Sequence, residues 1–163
     1  MKDLGAVARS GKPQRTGAPS TATDGTASRA VRATDRVDHF AQDGTTLFAG
    51  THLIIEVVGG KGLDREDRIR AAFQDCIAAC GATLVHMHVH RFSPHGLSGV
   101  AVLAESHITV HTWPEIGYGA FDVFMCGDAD PWQTVGVLAR AFETDDVRVR
   151  ALRRGEDVLP ARS

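Results

Sequence analysis

Residues 84–126 read LVHMHVHRFSPHGLSGVAVLAESHITVHTWPEIGYGAFDVFMC. The first seven alternate, with Val85, Met87 and Val89 on one side and His86, His88 and His90 on the other. That period of two predicts a half-buried strand. Phe92–Gly99 carries the Pro, Gly and Ser of a turn or loop. Val100–Leu103 and Ile108–Trp113 read as strands around a short centre, Ala104-Glu105-Ser106-His107. After a turn at Pro114–Gly119, Ala120–Cys126 alternates again, with Phe121, Val123 and Met125 opposite Asp122, Phe124 and Cys126. Strands joined by links this short pair antiparallel, because a parallel pair needs a crossover of a dozen or more residues.

Upstream, Thr51–Val58 (THLIIEVV) is β-branched and apolar, a further strand. Asp64 is expected as a helix N-cap, with Asp67 completing a variant capping box. Ile69, Ala72, Phe73, Cys76, Ile77 and Cys80 then fall on one helical face, which Gly81 ends. Downstream, Asp130-Pro131 is expected to open a second helix with apolar face Trp132, Val135, Ala139 and Phe142. Val147–Leu152 is the last strand expected. The order β-α-β-β-β-β-α-β implies an α+β, two-layer sandwich: a largely antiparallel sheet with both helices on one face. The other sheet face is left partly apolar, so sheet-to-sheet pairing of two copies in a dimer is expected.

The 163 residues suit one domain, expected over 47–163, preceded by a flexible tail over 1–46. The tail is rich in Ala, Thr, Ser, Gly and Arg and lacks periodicity; residues 1–36 carry seven Lys or Arg against three Asp. Its Arg/Ser/Thr bias loosely resembles an organelle transit peptide, but no apolar face is visible in it. A net charge of −2 does not advertise a nucleic-acid partner, and no apolar run is long enough for a membrane-spanning helix. Cys76, Cys80 and Cys126 are too few for a disulfide scaffold, so a reducing cytoplasm is expected. Only Lys2, Lys12 and Lys61 are lysines, and Lys61 sits in the glycine-rich turn 59–62, which argues against a lysine-bound pyridoxal phosphate.

The residues best suited to chemistry cluster in 86–126. His86, His88 and His90 are good metal-ligand types, but alternate strand residues splay apart and no HExxH or CxxC accompanies them, so no metal is expected. Ser106, His111 and Asp122 supply the types of a hydrolytic triad without a GxSxG elbow. The glycines of 59–62 lack the spacing of a phosphate loop. A further reading is self-processing at Glu105-Ser106. A serine in a turn between strands can attack the preceding carbonyl, and the ester can eliminate to leave a pyruvoyl group, with His111 as a candidate base.

Residues 90–127, with AESH, HTWPE and FMCG, closely resemble the prokaryotic S-adenosylmethionine decarboxylase proenzymes. With GTHLIIE at 50–56 and Asp-Pro-Trp at 130–132, the resemblance spans roughly Phe48 to Arg153. It implies cleavage between Glu105 and Ser106, a pyruvoyl cofactor derived from Ser106, His111 and Cys126 serving processing, and Cys126 protonating the product carbanion. It implies that Phe92 stacks on adenine and that Glu115 holds the ribose hydroxyls, with Ser98 and Glu56 near the centre. The activity implied is decarboxylation of a small amino-acid-type substrate, S-adenosylmethionine, to the aminopropyl donor of spermidine and polyamine biosynthesis. Two departures stand out: Val57-Val58-Gly59-Gly60 replaces the aromatic and cysteine that many members carry, and Ser93-Pro94-His95 differs from commoner versions. Related pyruvoyl enzymes act on arginine or ornithine, and an unprocessed binding or regulatory homologue is the non-catalytic alternative.

Overall fold

The computed structural model describes residues 40–44, 46–156 and 158. The expected tail therefore lies mostly outside the described residues. A small hairpin, β1 (Ala41–Asp43) and β2 (Thr46–Phe48), precedes the main sheet. The sheet has six strands: β3 (Gly50–Val58), β4 (Leu84–Arg91), β5 (Leu97–Leu103), β6 (Ser106–Trp113), β7 (Tyr118–Met125) and β8 (Asp146–Arg154). They lie in the order β4-β5-β6-β7-β3-β8, and every pairing is antiparallel. Two helices, α1 (Glu66–Cys80) and α2 (Gln133–Ala141), complete the domain, and Pro114–Ile116 forms a single 3-10 turn.

Alternation decides which face each strand buries. Leu53, Ile55 and Val57 of β3, Ile108 and Val110 of β6, and Phe121, Val123 and Met125 of β7 are sealed from solvent. Ile69, Phe73, Cys76 and Ile77 of α1 and Val137 and Leu138 of α2 belong to the same core. Phe73 meets Phe121 edge-on with ring centroids 6.5 Å apart, and Phe121 meets Phe142 at 5.6 Å. Burying each such side chain is worth about 1.5–3 kcal/mol. Among the described residues the opposite sheet face carries no helix, in keeping with the two-layer α+β expectation.

Several local expectations change. The Asp64/Asp67 capping box does not form: Arg65 is the N-cap residue without a side-chain cap, and Asp67 instead accepts from the Arg65 guanidinium at 2.6 Å. The Arg65 guanidinium, rather than the Asp64 amide, is the partner of this carboxylate. Gly81 ends α1 as expected, at φ 70°. The second helix starts later than Pro131. Asp130 accepts from the Trp132 amide at 3.0 Å and fixes a preliminary turn, and α2 follows from Gln133. Its buried face is correspondingly rotated onto Thr134, Val137 and Leu138, which leaves Trp132 51% exposed. The loop expected at 92–99 is shorter, since Leu97–Gly99 already pairs with β4 and β6.

Candidate active site

The expected site residues fall into two groups, both set by β6. The first is at its start. β5 and β6 are joined by the two residues Ala104 and Glu105, with Leu103 paired to Ser106. Glu105 has φ 68°, a left-handed backbone that costs a side-chain-bearing residue of its type roughly 1–2 kcal/mol. The Ala104 amide donates to the Thr83 carbonyl at 3.0 Å and anchors this turn to the neighbouring connection. Ser106 Oγ accepts the Cys126 amide at 3.2 Å. Ser106 and Cys126 are therefore neighbours across the β6–β7 end. Burial, and secondarily the Glu105 carboxylate, push the Cys126 thiol up, so it stays protonated above its ordinary range.

The second group lies five residues along β6. Ser98 pairs with His111 in the β5–β6 register, and Ser98 Oγ and His111 Nδ1 share a hydrogen bond of 2.6 Å. At the strand rise, His111 stands roughly 16 Å from Ser106 along the strand. The two side chains also differ in parity. His111 shares the helix-free face with Thr109, whereas Ser106 follows Ile108 and Val110. So the fold brings Ser106, Glu105 and Cys126 together, and Ser98 and His111 together, but does not join the two groups within one chain.

Beside Ser98 and His111 lies a cavity of about 370 Å³. Phe92, Trp113, Glu115 and His95 contribute to its lining, along with the Ser98–His111 pair. Phe92 is 50% exposed and stands edge-on to His90, with ring centroids 4.8 Å apart. The Phe92 amide donates to the Gly96 carbonyl at 2.9 Å, and the Leu97 amide to Thr112 Oγ1 at 2.8 Å, which shape the loop around the cavity. Gly96 has φ 97°, and a Cβ there would lie 2.8 Å from the Thr112 carbonyl oxygen, so only glycine fits.

Glu56 reaches the same helix-free face from β3 and accepts a hydrogen bond from the Tyr118 hydroxyl. That bond pushes the tyrosine up to about 12. Tyr118 stacks on Trp113, with centroids 5.2 Å apart. Neither ring was expected at the site. The signal available was weak: Tyr118 is the only tyrosine, four residues beyond Pro114 in a stretch read as a turn. A second missed cluster is nearby. His52 Nε2 lies 3.4 Å from Asp122, which also accepts from Thr109 at 3.3 Å. The His107 imidazole is held below its usual range by burial and then by His52. His86, His88 and His90 line the outer strand β4, and no group of three or more His, Cys, Asp or Glu among the described residues is placed to hold a metal ion.

The family model of S-adenosylmethionine decarboxylase matches residues 51–155, a span that contains both residue groups and the cavity. The chain belongs to the S-adenosylmethionine decarboxylase family. It is 44% identical over 117 residues to the S-adenosylmethionine decarboxylase proenzyme of Methanococcus vannielii, covering 68% of this chain and 96% of that one. The Clostridium kluyveri proenzyme is 38% identical over 109 residues, covering 65% of this chain and 86% of its own. Among solved structures, the adenosylmethionine decarboxylase of Aquifex aeolicus superposes with a TM-score of 0.61 at 28% identity, covering 70% of this chain and 95% of that chain. The S-adenosylmethionine decarboxylase resemblance thus extends over the whole six-stranded sheet. Among the described residues no helix is long and apolar enough to cross a membrane.

Proposed function

We propose that this chain is a proenzyme that cleaves itself between Glu105 and Ser106 and then decarboxylates S-adenosylmethionine, supplying the aminopropyl donor for polyamine synthesis. The observation that carries the reading is the Glu105–Ser106 turn: a left-handed residue precedes a serine whose hydroxyl is seated beside Cys126, in a chain of this family.

The residues of the turn fit the formation of a pyruvoyl group. Ser106 Oγ attacks the Glu105 carbonyl carbon; the C–N bond breaks and an ester replaces the amide. A base removes the Ser106 α-hydrogen, the ester oxygen departs as the Glu105 carboxylate, and a dehydroalanine remains. Water adds to its imine tautomer and ammonia leaves, giving the ketone at the new terminus. The left-handed Glu105 favours the first step by holding the scissile peptide in a strained turn. Once formed, the group supplies an electrophilic carbonyl that withdraws electrons from the substrate α-carbon. Cys126 is suited to deliver a proton to that carbon, because its raised pKa keeps the thiol neutral near pH 7.

His111 and Ser98 act on this centre through a second copy. Their separation from Ser106 on β6 supports a dimer in which the helix-free faces pack with strands reversed, so that the strand end carrying Ser106 and Cys126 in one protomer lies against its partner's Ser98–His111 pair. That face presents Ile54, Val100, Val102, Phe124 and Leu152, apolar side chains that a second sheet would cover. Phe92 beside Glu115 supports a nucleoside-bearing substrate: the ring can stack on a base and the carboxylate can accept from ribose hydroxyls. The free thiols of Cys76, Cys80 and Cys126 support a cytoplasmic setting.

The test is intact-mass spectrometry of freshly purified protein, followed by assay with S-adenosylmethionine, arginine and ornithine. Chains of 105 and 58 residues, the smaller blocked at its terminus, with carbon dioxide release from S-adenosylmethionine alone, are expected. A single full-length chain that releases none would support the unprocessed homologue instead.

A further inference from the structure

Glu115 is exposed on a single 3-10 turn, and no hydrogen bond or ion pair to another described residue holds its carboxylate. Its place beside the cavity is therefore set by the backbone of residues 114–117. We propose that the glycine turn 59–62, where Gly59-Gly60 departs from the family's commoner sequence, is the positioning element for Glu115: it grips the turn 114–117 backbone to backbone and so sets the reach of the carboxylate. The inference rests on the reading of Glu115 as the acid that accepts from ribose hydroxyls, and deepens it.

The two turns meet through bare backbone. The Gly60 amide donates to the Gly117 carbonyl at 2.8 Å. Gly117 has φ 65°, and a Cβ there would lie 3.2 Å from the Gly59 Cα and 3.3 Å from the Gly60 carbonyl oxygen. A Cβ on Gly60 would lie 2.9 Å from Val57 Cγ1, so the other side of the clamp has no room for a side chain either. Backbone atoms cannot yield by changing rotamer, so such a contact transmits a displacement that a side-chain contact would absorb. The Gly117 amide also donates to the Pro114 carbonyl at 3.2 Å, which closes the turn around Glu115. The clamp is braced from behind. The Thr144 hydroxyl donates to the Val58 carbonyl at 2.5 Å, and the Lys61 amide to the Phe142 carbonyl at 2.8 Å. Phe142 is buried, so the segment after α2 ties the clamp to the core. Arg68 of α1 donates to the Ala141 carbonyl at 2.6 Å and steadies that segment. Hydroxyl-to-carboxylate bonds span about 2.5–3.0 Å, so a turn displaced by about an ångström no longer makes them.

The readout that isolates Glu115 is discrimination between 5′-methylthioadenosine and its 2′,3′-dideoxy analogue, measured by calorimetry on the cleaved enzyme. The parent protein should bind the hydroxyl-bearing ligand about tenfold more tightly, the order of a hydrogen bond to a charged group. Gly117→Ala forces the turns apart. It should abolish that preference and raise KM for S-adenosylmethionine by the same factor, with a smaller change in kcat. Gly81 supplies the control for backbone strain: it has φ 70° at the far end of α1, where a Cβ meets nothing within 4 Å. Gly81→Ala should lower stability comparably yet keep the full preference. In a Glu115→Ala protein the preference should already be gone, and adding Gly117→Ala should change it no further. If the parent discriminates and Gly117→Ala still does, the inference is overturned and the ribose reading of Glu115 stands. If the parent does not discriminate, or Glu115→Ala leaves the preference intact, both fall. Should Gly117→Ala fail to fold, Thr144→Val decides alone: freeing the Val58 carbonyl should cut the preference severalfold, and a preference kept in full overturns the inference.

Discussion

Ser106 differs from any other serine of the sheet by what precedes and faces it: a left-handed glutamate and the Cys126 amide. Ser106→Ala removes the attacking oxygen while preserving the turn. The expected product is one chain of 163 residues with no decarboxylase activity, read by intact mass and carbon dioxide release. Two chains from that variant would place the cut elsewhere. Cys126 makes a different prediction. Its thiol is pushed up by burial and by Glu105, so its protonated form persists to higher pH than that of a solvent-exposed cysteine. Turnover should hold through neutral pH and fall only above the ordinary cysteine range of about 8.5. Cys126→Ala should slow processing and abolish that alkaline limb; an unchanged pH–rate profile would remove the thiol from proton delivery. At this scale the sequence was legible for Ser106 and Cys126, which the fold brings together as the motif implies. It was not legible for Tyr118, whose place at the site depends on lying across the sheet from Trp113 and within reach of Glu56, relations that only strand register creates.

Among the elements, β5 with its preceding loop sets the cavity's shape. Gly96 sits at φ 97° with the Thr112 carbonyl where a side chain would go. Gly96→Ala should destabilise the domain by about 1–3 kcal/mol, the range for strain at a special backbone position, and raise KM by displacing Phe92. Chemical denaturation together with steady-state kinetics checks both; a variant with wild-type stability would show that the loop has another conformation open to it. Strand assignments were readable because alternation survives through most of each strand: Met87 and Val89, and Phe121, Val123 and Met125, stand on the core side as their period requires, whereas Val85, expected with them, is 66% exposed at a shift in the β4–β5 register. Helix entries were not. The Asp67 carboxylate lies two residues from Arg65 and three from the Asp64 backbone it was expected to cap, and the ion pair prevailed. In the second helix the preliminary turn made by Asp130 shifts the register, so Trp132 leaves the core and Leu138 enters it.

For the whole molecule, the sheet has one face built into a core and one without a helix. The dimer expected from that asymmetry predicts a solution mass of two protomers by light scattering. Charge substitution at the centre of the bare face, Val100→Lys, should yield monomers that do not turn over substrate, because Ser98 and His111 would lose the partner's strand end carrying Ser106 and Cys126. A monomer with full activity would refute shared sites. The α+β class was legible from strand order alone, since short links, two to five residues between β4, β5, β6 and β7, leave antiparallel pairing as the outcome. The separation of His111 from Ser106 was not drawn from the sequence, which offered His111 as a base for Ser106; it follows only once both stand on one strand, five positions apart.

The strand order has a further consequence. A cut after Glu105 would leave β3, β4 and β5 on one fragment and β6, β7 and β8 on the other. In the sheet these alternate: β6 and β7 lie between β5 and β3, and β3 lies between β7 and β8. The fragments would be interleaved like clasped fingers, so a severed backbone would not loosen the sheet. Once fully unfolded, however, the halves would have to find each other by diffusion before they could interleave again. Folding would be a first-order event before the cut and a second-order one after it, so recovery from denaturation would become dilution-sensitive. The uncut chain would serve as its own assembly jig, usable once.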